Sequence, residues 1–451
     1  MSKSSTSKSS DDEYYGDNGE EFRSAILNNK YSLIDKIGYG SYSSVWLAYC
    51  ISDNNFYAIK IQNSEDYEEG LEEMNILNRI KELNSKHLIN IVDGFEIVKQ
   101  EEKLKKFKKG NKKYTKKVTV NNKFICMVLP LMACSLYTLI KRGKYSKGLG
   151  NELMLKSINC LVSSISLLHG NLRLCHTDLK PENMLISGCS FKVSEIIEEY
   201  SKFNLRSLYE KSLDEEIKSK NYDLQNQNIK KKLRKVKANI LKKLHVKILD
   251  SMTSISKDTD SSSSDEDSNS ESNYSEINEI INPKNLESCE VVLTDFGSNI
   301  KIKDLEEYDE IQTRYYRAPE VILKLNYNEK IDIWSIGCCL YEIYTGEILF
   351  NPDKDCDTSR DMNHLNLIQN LIGEIPKNLI KKSPVKKEFF KDGKLKISKE
   401  EKHLDKLLEE VQNPNEDIAN LIRKCLIIDP NERPNIIELK NFFFKISDKV
   451  C

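Results

Sequence analysis

The sequence predicts an α+β protein of two lobes, a small β-rich lobe followed by a larger helical lobe that carries a long insert. Three observations support this. "YSLIDKIGYGSYSSVWLAYCISDNNFYAIKI" alternates β-branched and aromatic residues with polar ones, and its "SDNN" supplies turn chemistry, so it reads as three strands. After Pro130 the pattern turns helical, and "NELMLKSINCLVSSISLLH" and "KIDIWSIGCCLYEIYTG" are apolar enough to be buried helices. Finally, a charged and then acidic, Ser-rich stretch interrupts the second half from about Ser187 to Cys289.

With 451 residues the chain is long enough to bury a substantial core. A formal net charge of −1 gives it no overall attraction to nucleic acid or membrane, so any such attraction must be local. The 12 cysteines contain no C-x-x-C pair and read as reduced thiols of an intracellular protein, cytoplasmic or nuclear, rather than as disulfides or a zinc site. The greasy run "FICMVLPLMAC" is too short to span a bilayer, and the N-terminus lacks the apolar core of a signal peptide. A soluble monomer without a transmembrane segment is expected.

In chain order, residues 1–28 have the Ser-rich, acidic composition of a disordered tail, with the fold beginning near Tyr31. The small lobe is expected over 31–133. Within it "YEEGLEEMNILNRIKEL" puts Leu71, Met74, Ile76, Leu77 and Ile80 near helical spacing. The Lys-rich stretch 99–123 separates two strand-like runs and reads as a solvated hairpin loop, with no direct role in nucleic-acid binding. The large lobe follows over 134–445, interrupted by a spacer at 188–289. Ile196 to Asp250 of the spacer is expected to form a helix or hairpin, and 251–280 to be low-complexity and disordered. Such a surface insert is expected to be dispensable for activity. Its basic stretch "KKKLRKVKANILKKLHVK" has at most an accessory membrane or RNA role.

Motifs for phosphoryl transfer occur in order along this frame. That chemistry asks a protein to position a nucleotide and a hydroxyl and to neutralise charge on the migrating group. "GYGSYSSV" lets Gly38 and Gly40 bring backbone amides close to phosphates. "YAIK" ends in Lys60, a candidate for the α- and β-phosphates, and Glu73, rather than the adjacent Glu72, is its expected partner. In "HTDLKPEN", Asp178 would orient the substrate hydroxyl, Lys180 would steady the γ-phosphate and Asn183 would hold a metal. "TDFG" supplies Asp295 as the main metal-binding carboxylate. Ile37, Val45, Leu131 and Met132 complete the expected ATP-binding set. The expected cofactors are ATP and Mg2+, or Mn2+.

"TRYYRAPEVIL" resembles the substrate loop of the eukaryotic-type protein kinases in the group that holds cyclin-dependent, mitogen-activated, CDC-like and SR-protein kinases. Within that group "GYGSYSSVWL", "HTDLKPEN", "IQTRYYR", "SRDMNHLNLIQNLIGEIPKNLI" and "KEFFKDGKLK", with the long spacer, resemble the SR-protein kinases. The CDC-like kinases share "HTDLKPEN" and "YRAPEVIL" and are the second choice. The departure is "DFG", where SR-protein kinases usually read Asp-Leu-Gly. The resemblance implies a bilobal protein kinase fold and a serine/threonine protein kinase acting on Arg/Ser-rich proteins. It also implies an ion pair between Glu320 and Arg433 under the substrate loop. A pseudokinase scaffold is disfavoured because Lys60, Asp178, Asn183 and Asp295 are all retained.

Thr177 stands where many kinases carry an Arg that binds an activating phosphate. A Thr cannot pair with that phosphate. Glu310, near the usual phosphosite, is expected to act as a fixed carboxylate in its place, giving a kinase that does not wait for phosphorylation. Asp353, Asp355, Asp357 and Asp361 are expected to dock basic substrates.

Overall fold

A computed structural model describes residues 22–40, 42–109, 112–141, 145–220, 222, 227–259, 288–352, 358–397, 403–411 and 414–450. The chain divides into two compact units: 1–71, 92–129 and 196–263 form one, and 72–91, 130–195 and 264–451 the other.

The first unit is built on an antiparallel sheet of β1 (Ile26–Leu27), β2 (Tyr31–Tyr39), β3 (Ser43–Cys50), β4 (Asn55–Gln62), β5 (Asp93–Lys109) and β6 (Lys112–Leu129). Its strand order is β1-β2-β3-β4-β6-β5. The strands form because alternate positions supply large apolar side chains to one face, the pattern of a half-buried sheet. Leu33, Trp46, Ala48, Ile59, Ile61, Cys126 and Val128 are buried in one cluster. Phe22 and Leu27 join it, so part of the stretch expected as a disordered tail, 22–28, belongs to the folded unit; residues 1–21 lie outside the described ones. Phe22 meets Phe124 edge-on with ring centroids 5.2 Å apart.

Two further expectations change here. The Lys-rich stretch is a paired ladder, not a loop: β5 and β6 stay in register out to Lys109↔Lys112. The helical half of the spacer belongs to this unit rather than to the larger lobe. It forms α4 (Phe191–Lys202), α5 (Leu205–Lys220) and α6 (Gln227–Thr259), so 251–259 is helical; residues 260–287 lie outside the described ones. α6 packs on β1, β2 and α5. The contact is locked by a wholly buried His245, whose Nε2 lies 2.8 Å from the Leu33 carbonyl oxygen and whose Nδ1 lies 2.8 Å from the Tyr200 hydroxyl. The basic stretch inside α6 therefore buries Leu233, Leu241 and His245, which makes it a structural helix.

The second unit holds most of α1 (Tyr67–Glu82), then β7 (Met132–Ser135), α2 (Leu136–Ile140), α3 (Asn151–Leu167), β8 (Leu174–Cys175), β9 (Met184–Ser187), β10 (Val291–Leu293) and β11 (Ile300–Lys301). β9 lies between β7 and β10 in one small sheet, and β8 pairs with β11. Residues Asn151–Leu172 are long and apolar enough to cross a membrane, but they pack as a core helix. The centre is α7 (Lys330–Thr345), buried over nearly its whole length and ended by Gly346 in the left-handed region at φ 83. Gly337 lets α8 (Glu416–Cys425) approach closely, since a Cβ there would lie 2.8 Å from that of Cys425.

Candidate active site

The nucleotide-loop residues form a row across the first unit's sheet. Gly38 pairs with Val45, and Val45 with Lys60, so the three occupy one line over β2, β3 and β4. Directly opposed residues share a face, which sets Val45 beside Lys60 and leaves Gly38 without a side chain to obstruct them. Ile37 lies at a register shift in β2, between Lys36 and Gly38. Gly40 is followed by Ser41, outside the described residues, and its amide donates to the Ser43 carbonyl at 2.8 Å. In the second unit Leu131 and Met132 are half-buried at the start of β7.

The remaining predicted residues converge in the second unit. Asp178, Lys180 and Asn183 sit in the turn between β8 and β9, whose shape is set by Pro181 at the start of a single helical turn. Lys180 Nζ is 2.7 Å from Asp178 Oδ2. Asn183 Nδ2 donates to the Asp178 carbonyl oxygen at 2.9 Å and contacts Oδ2 at 3.3 Å. Burial pushes the Asp178 carboxyl up, but the bonds from Lys180 and Thr313 outweigh it and hold it below the usual carboxylate range. Burial pulls the Lys180 ammonium down and its bond to Asp178 more than restores it, so it lies above its ordinary value. Both groups are ionised at neutral pH.

Asp295 has a left-handed backbone, φ 66, directly after β10 and Thr294. The Thr294 amide donates to the Asn183 carbonyl at 3.0 Å, which fixes the metal-ligand candidates to one another. Glu73 is 4 % exposed whereas Glu72 is exposed, so only Glu73 faces inward. It lies close to Asp295: a Cβ on Gly297 would be 3.7 Å from Glu73 Oε2 and 3.9 Å from Asp295 Oδ1. Asn183 commits its amide nitrogen to Asp178, which leaves its oxygen as an acceptor. With the Asp295 carboxylate this is the hard oxygen donor set that Mg2+ requires.

Several working residues are not evident from the sequence motifs. Thr313 Oγ1 donates to Asp178 Oδ1 at 2.5 Å, tying the substrate loop to the catalytic carboxylate. Asp332, on α7, accepts from the amides of His176 at 2.8 Å and Thr177 at 3.0 Å and from His169 Nε2 at 2.9 Å. Its signal is present in "DIWSIGC": a carboxylate in an otherwise apolar helix, wholly buried here, must hold something. Gln312 staples the loop, with Nε2 donating to Ser335 Oγ at 2.7 Å and to the Ile331 carbonyl at 3.0 Å while Oε1 accepts from the Ala318 amide at 2.9 Å.

Glu310 is exposed and its charge favours the Arg317 guanidinium, which donates to the carbonyls of Ile311 and Gln312. Asp361 is ion-paired with Arg314 and not free for docking; Asp353, Asp355 and Asp357 lie outside the described residues. The Glu320–Arg433 pair is formed, bidentate at 2.6 and 3.0 Å and buried.

The protein kinase domain family model matches residues 31–196 and 278–444, and the chain belongs to that family. It is an ATP-dependent serine/threonine protein kinase, and SR-protein kinases are among the proteins it is similar to. It is 29% identical to a putative serine/threonine-protein kinase, L205, of Acanthamoeba polyphaga mimivirus, over 92% of this chain and 86% of that one. It is 26% identical to serine/threonine-protein kinase SRPK of Physarum polycephalum, over 82% and 74%. With SRSF protein kinase 3 of Homo sapiens it shares 23% over 81% and 76%. The family match breaks at 196–278, where the spacer lies.

Proposed function

We propose that this kinase phosphorylates Ser, or Thr, flanked by Arg in Arg/Ser-rich segments of proteins. The observation that carries this reading is a pair of unsatisfied carboxylates in the second unit. Glu182 Oε2 and Glu342 Oε1 are buried and accept no hydrogen bond. Glu182 lies four residues beyond Asp178. The Tyr316 hydroxyl donates to the other Glu342 oxygen at 2.6 Å, while the Lys141 ammonium stays 3.8 Å from Oε1, beyond hydrogen bonding. Burial pushes both carboxyls up, with a further push from Asp178 on Glu182 and from Glu182 on Glu342. A buried carboxylate oxygen without a hydrogen bond is costly, and a guanidinium is a substrate group that can donate to such an oxygen.

In this reading Asp178 accepts a hydrogen bond from the substrate hydroxyl and orients it, and Lys180 holds positive charge beside it. Asn183 and Asp295 would hold Mg2+, and Gly38, Gly40, Val45 and Lys60, with Ile37, Leu131 and Met132, would bind ATP. When bound, the metal neutralises charge on the transferring phosphoryl group. Reduced thiols fit work inside the cell, cytoplasmic or nuclear: all ten described cysteines are free.

Catalytic efficiency on an Arg-Ser repeat peptide and on a peptide with Gln replacing each Arg tests the proposal. The wild type is expected to prefer the repeat, and Glu182→Gln to reduce that preference about tenfold, the loss of one charge-assisted bond. A wild type that uses both peptides equally would overturn the assignment.

A further inference from the structure

Where α4 and α6 lie against β2, the first unit leaves a cavity of about 530 Å3 that the chemistry above does not use. A volume of this size is that of a small-molecule site. β2 slips register between Leu33 and Asp35, and Ile34, unpaired in the ladder at that slip, lines the cavity as a buried residue. Ile196 of α4 with Val246 and Leu249 of α6 completes an apolar floor, and these three are only half-buried.

Three carboxylates from three elements line the same cavity: Asp35 of β2, Glu199 of α4 and Asp250 of α6. Helical spacing brings two of them there, since Glu199 follows Ile196 by three positions and Asp250 follows Val246 by four. Among the described residues none of the three takes part in an ion pair or a side-chain hydrogen bond, and Arg23 is the one basic residue in the lining. Carboxylates on an open surface usually just face water. These instead border apolar surface that the fold leaves uncovered. They are also not gathered at one point: among the described residues, the group of three metal-ligating side chains whose ligand atoms lie within 4.8 Å of one another is His169, Cys175 and Asp332. A divalent cation needs its oxygens converged, so the cavity suits several separate positive charges joined by apolar chain.

We propose that this cavity binds a linear polyamine, its methylene stretches on the apolar floor and its ammonium groups on Asp35, Glu199 and Asp250. The ammoniums would make charge-assisted hydrogen bonds to the carboxylates, and the methylenes would leave water against Ile34, Ile196, Val246 and Leu249. The neighbouring stretches of the chain itself have the wrong charge. Residues 11–21, which lead into Arg23, and 260–280, which follow α6, contain Asp and Glu and neither Lys nor Arg. A basic peptide fits less well, because its backbone would bring polar amides to a floor of aliphatic side chains. An occupant that touches α4, α6 and β2 at once binds only the docked insert, and so stabilises the first unit.

The test is isothermal titration calorimetry of the full-length protein with spermidine at low salt, with Mg2+ and an Arg-Ser repeat peptide as competitors. Spermidine is expected to bind one to one and to be displaced by neither. Glu199→Gln with Asp250→Asn should weaken it by about tenfold or more, the loss of at least one charge-assisted bond. Val246→Phe, which fills the floor and keeps all three carboxylates, should weaken it by a similar factor of about ten. The amide variant should retain wild-type phosphorylation of a short peptide and the wild-type melting temperature in the absence of spermidine. At a concentration about a hundred times its Kd, spermidine should raise the melting temperature of the wild type by roughly 2 °C or more, and that of the amide variant by less. No binding at low salt, equal displacement by Mg2+ or by the Arg-Ser peptide, or an affinity that the amide variant leaves unchanged would each overturn the proposal; the last would place the polyamine on the acidic stretches 11–21 or 260–280 instead.

Discussion

The Thr177 hydroxyl donates a 2.6 Å hydrogen bond to the carbonyl oxygen of Ser298, joining the catalytic loop to the segment just beyond Asp295 and Gly297. Thr177 has a left-handed backbone, φ 64, which a β-branched residue rarely adopts. The conformation is held by Asp332, which accepts from its amide. Where an Arg would wait for a phosphate, this Thr closes the contact directly. Thr177→Val keeps the shape and strands the Ser298 carbonyl, so kcat on a peptide substrate should fall about tenfold, equivalent to about 1.4 kcal/mol. Phosphatase treatment of the wild type should leave its rate unchanged. A collapse on dephosphorylation would show that a phosphate, and not Thr177 with Gln312, orders the segment.

The buried Glu320–Arg433 pair is fully satisfied. Arg433 also donates to the carbonyls of Ile427, Ile428 and Lys330, and its guanidinium lies over the Trp334 ring at 5.1 Å. Removing one partner leaves an uncompensated charge, so Glu320→Ala should destabilise the protein by about 3 to 5 kcal/mol in urea unfolding. The double variant Glu320→Leu with Arg433→Met should recover much of that deficit. If the single and double variants were equally unstable, packing rather than charge would be the cause.

The catalytic turn is legible in the sequence because its chemistry is local: "HTDLKPEN" brings Asp178, Lys180 and Asn183 together within one turn. What stays hidden depends on long-range burial. Asp332 reaches His176 across 156 positions, and nothing in its local sequence names its partner. The place of the spacer is hidden for the same reason. Its Leu and Val spacing announces a helix, but contacts such as His245–Leu33, 212 positions apart, attach that helix to the β-rich unit. The Lys-rich run resembles a loop because β-propensity is low for Lys, and ladder pairing overrides it.

Asp178→Asn and Asp295→Ala should each reduce phosphoryl transfer by at least roughly a hundredfold while leaving the fold intact. Asp178 Oδ1 and Oδ2 accept from Thr313 and Lys180, contacts that an amide can partly keep, so the melting curve should barely move. Single-turnover rates and circular dichroism measured together check this. Undiminished transfer by either variant would remove that residue from the role assigned to it.

The insert should be structural and sensitive to acid. Burial pushes the His245 imidazole down to about 4. Its neutral form, with Nε2 donating to the Leu33 carbonyl and Nδ1 accepting from the Tyr200 hydroxyl, satisfies both nitrogens; a proton on Nδ1 would displace the Tyr200 donor and add a charge that burial penalises. Because the folded value lies below the unfolded one of about 6.5, the unfolded chain binds the proton first. Stability should therefore be level above about pH 6.5 and fall as pH drops toward 4, losing about 2 to 3 kcal/mol from this residue by pH 4.5. His245→Gln cannot titrate and should show a correspondingly shallower acid slope, although it should be less stable at pH 7.5. Deleting residues 190–287 should likewise lower the melting temperature at neutral pH, because it uncovers β2 and removes Tyr200 from its packing against Tyr49 and Phe56, whose ring centroids lie 5.7 and 6.1 Å away. Urea denaturation from pH 7.5 to 4.5 decides the matter: identical slopes for wild type and His245→Gln would mean that another group, and not the docking of α6, sets the acid limit.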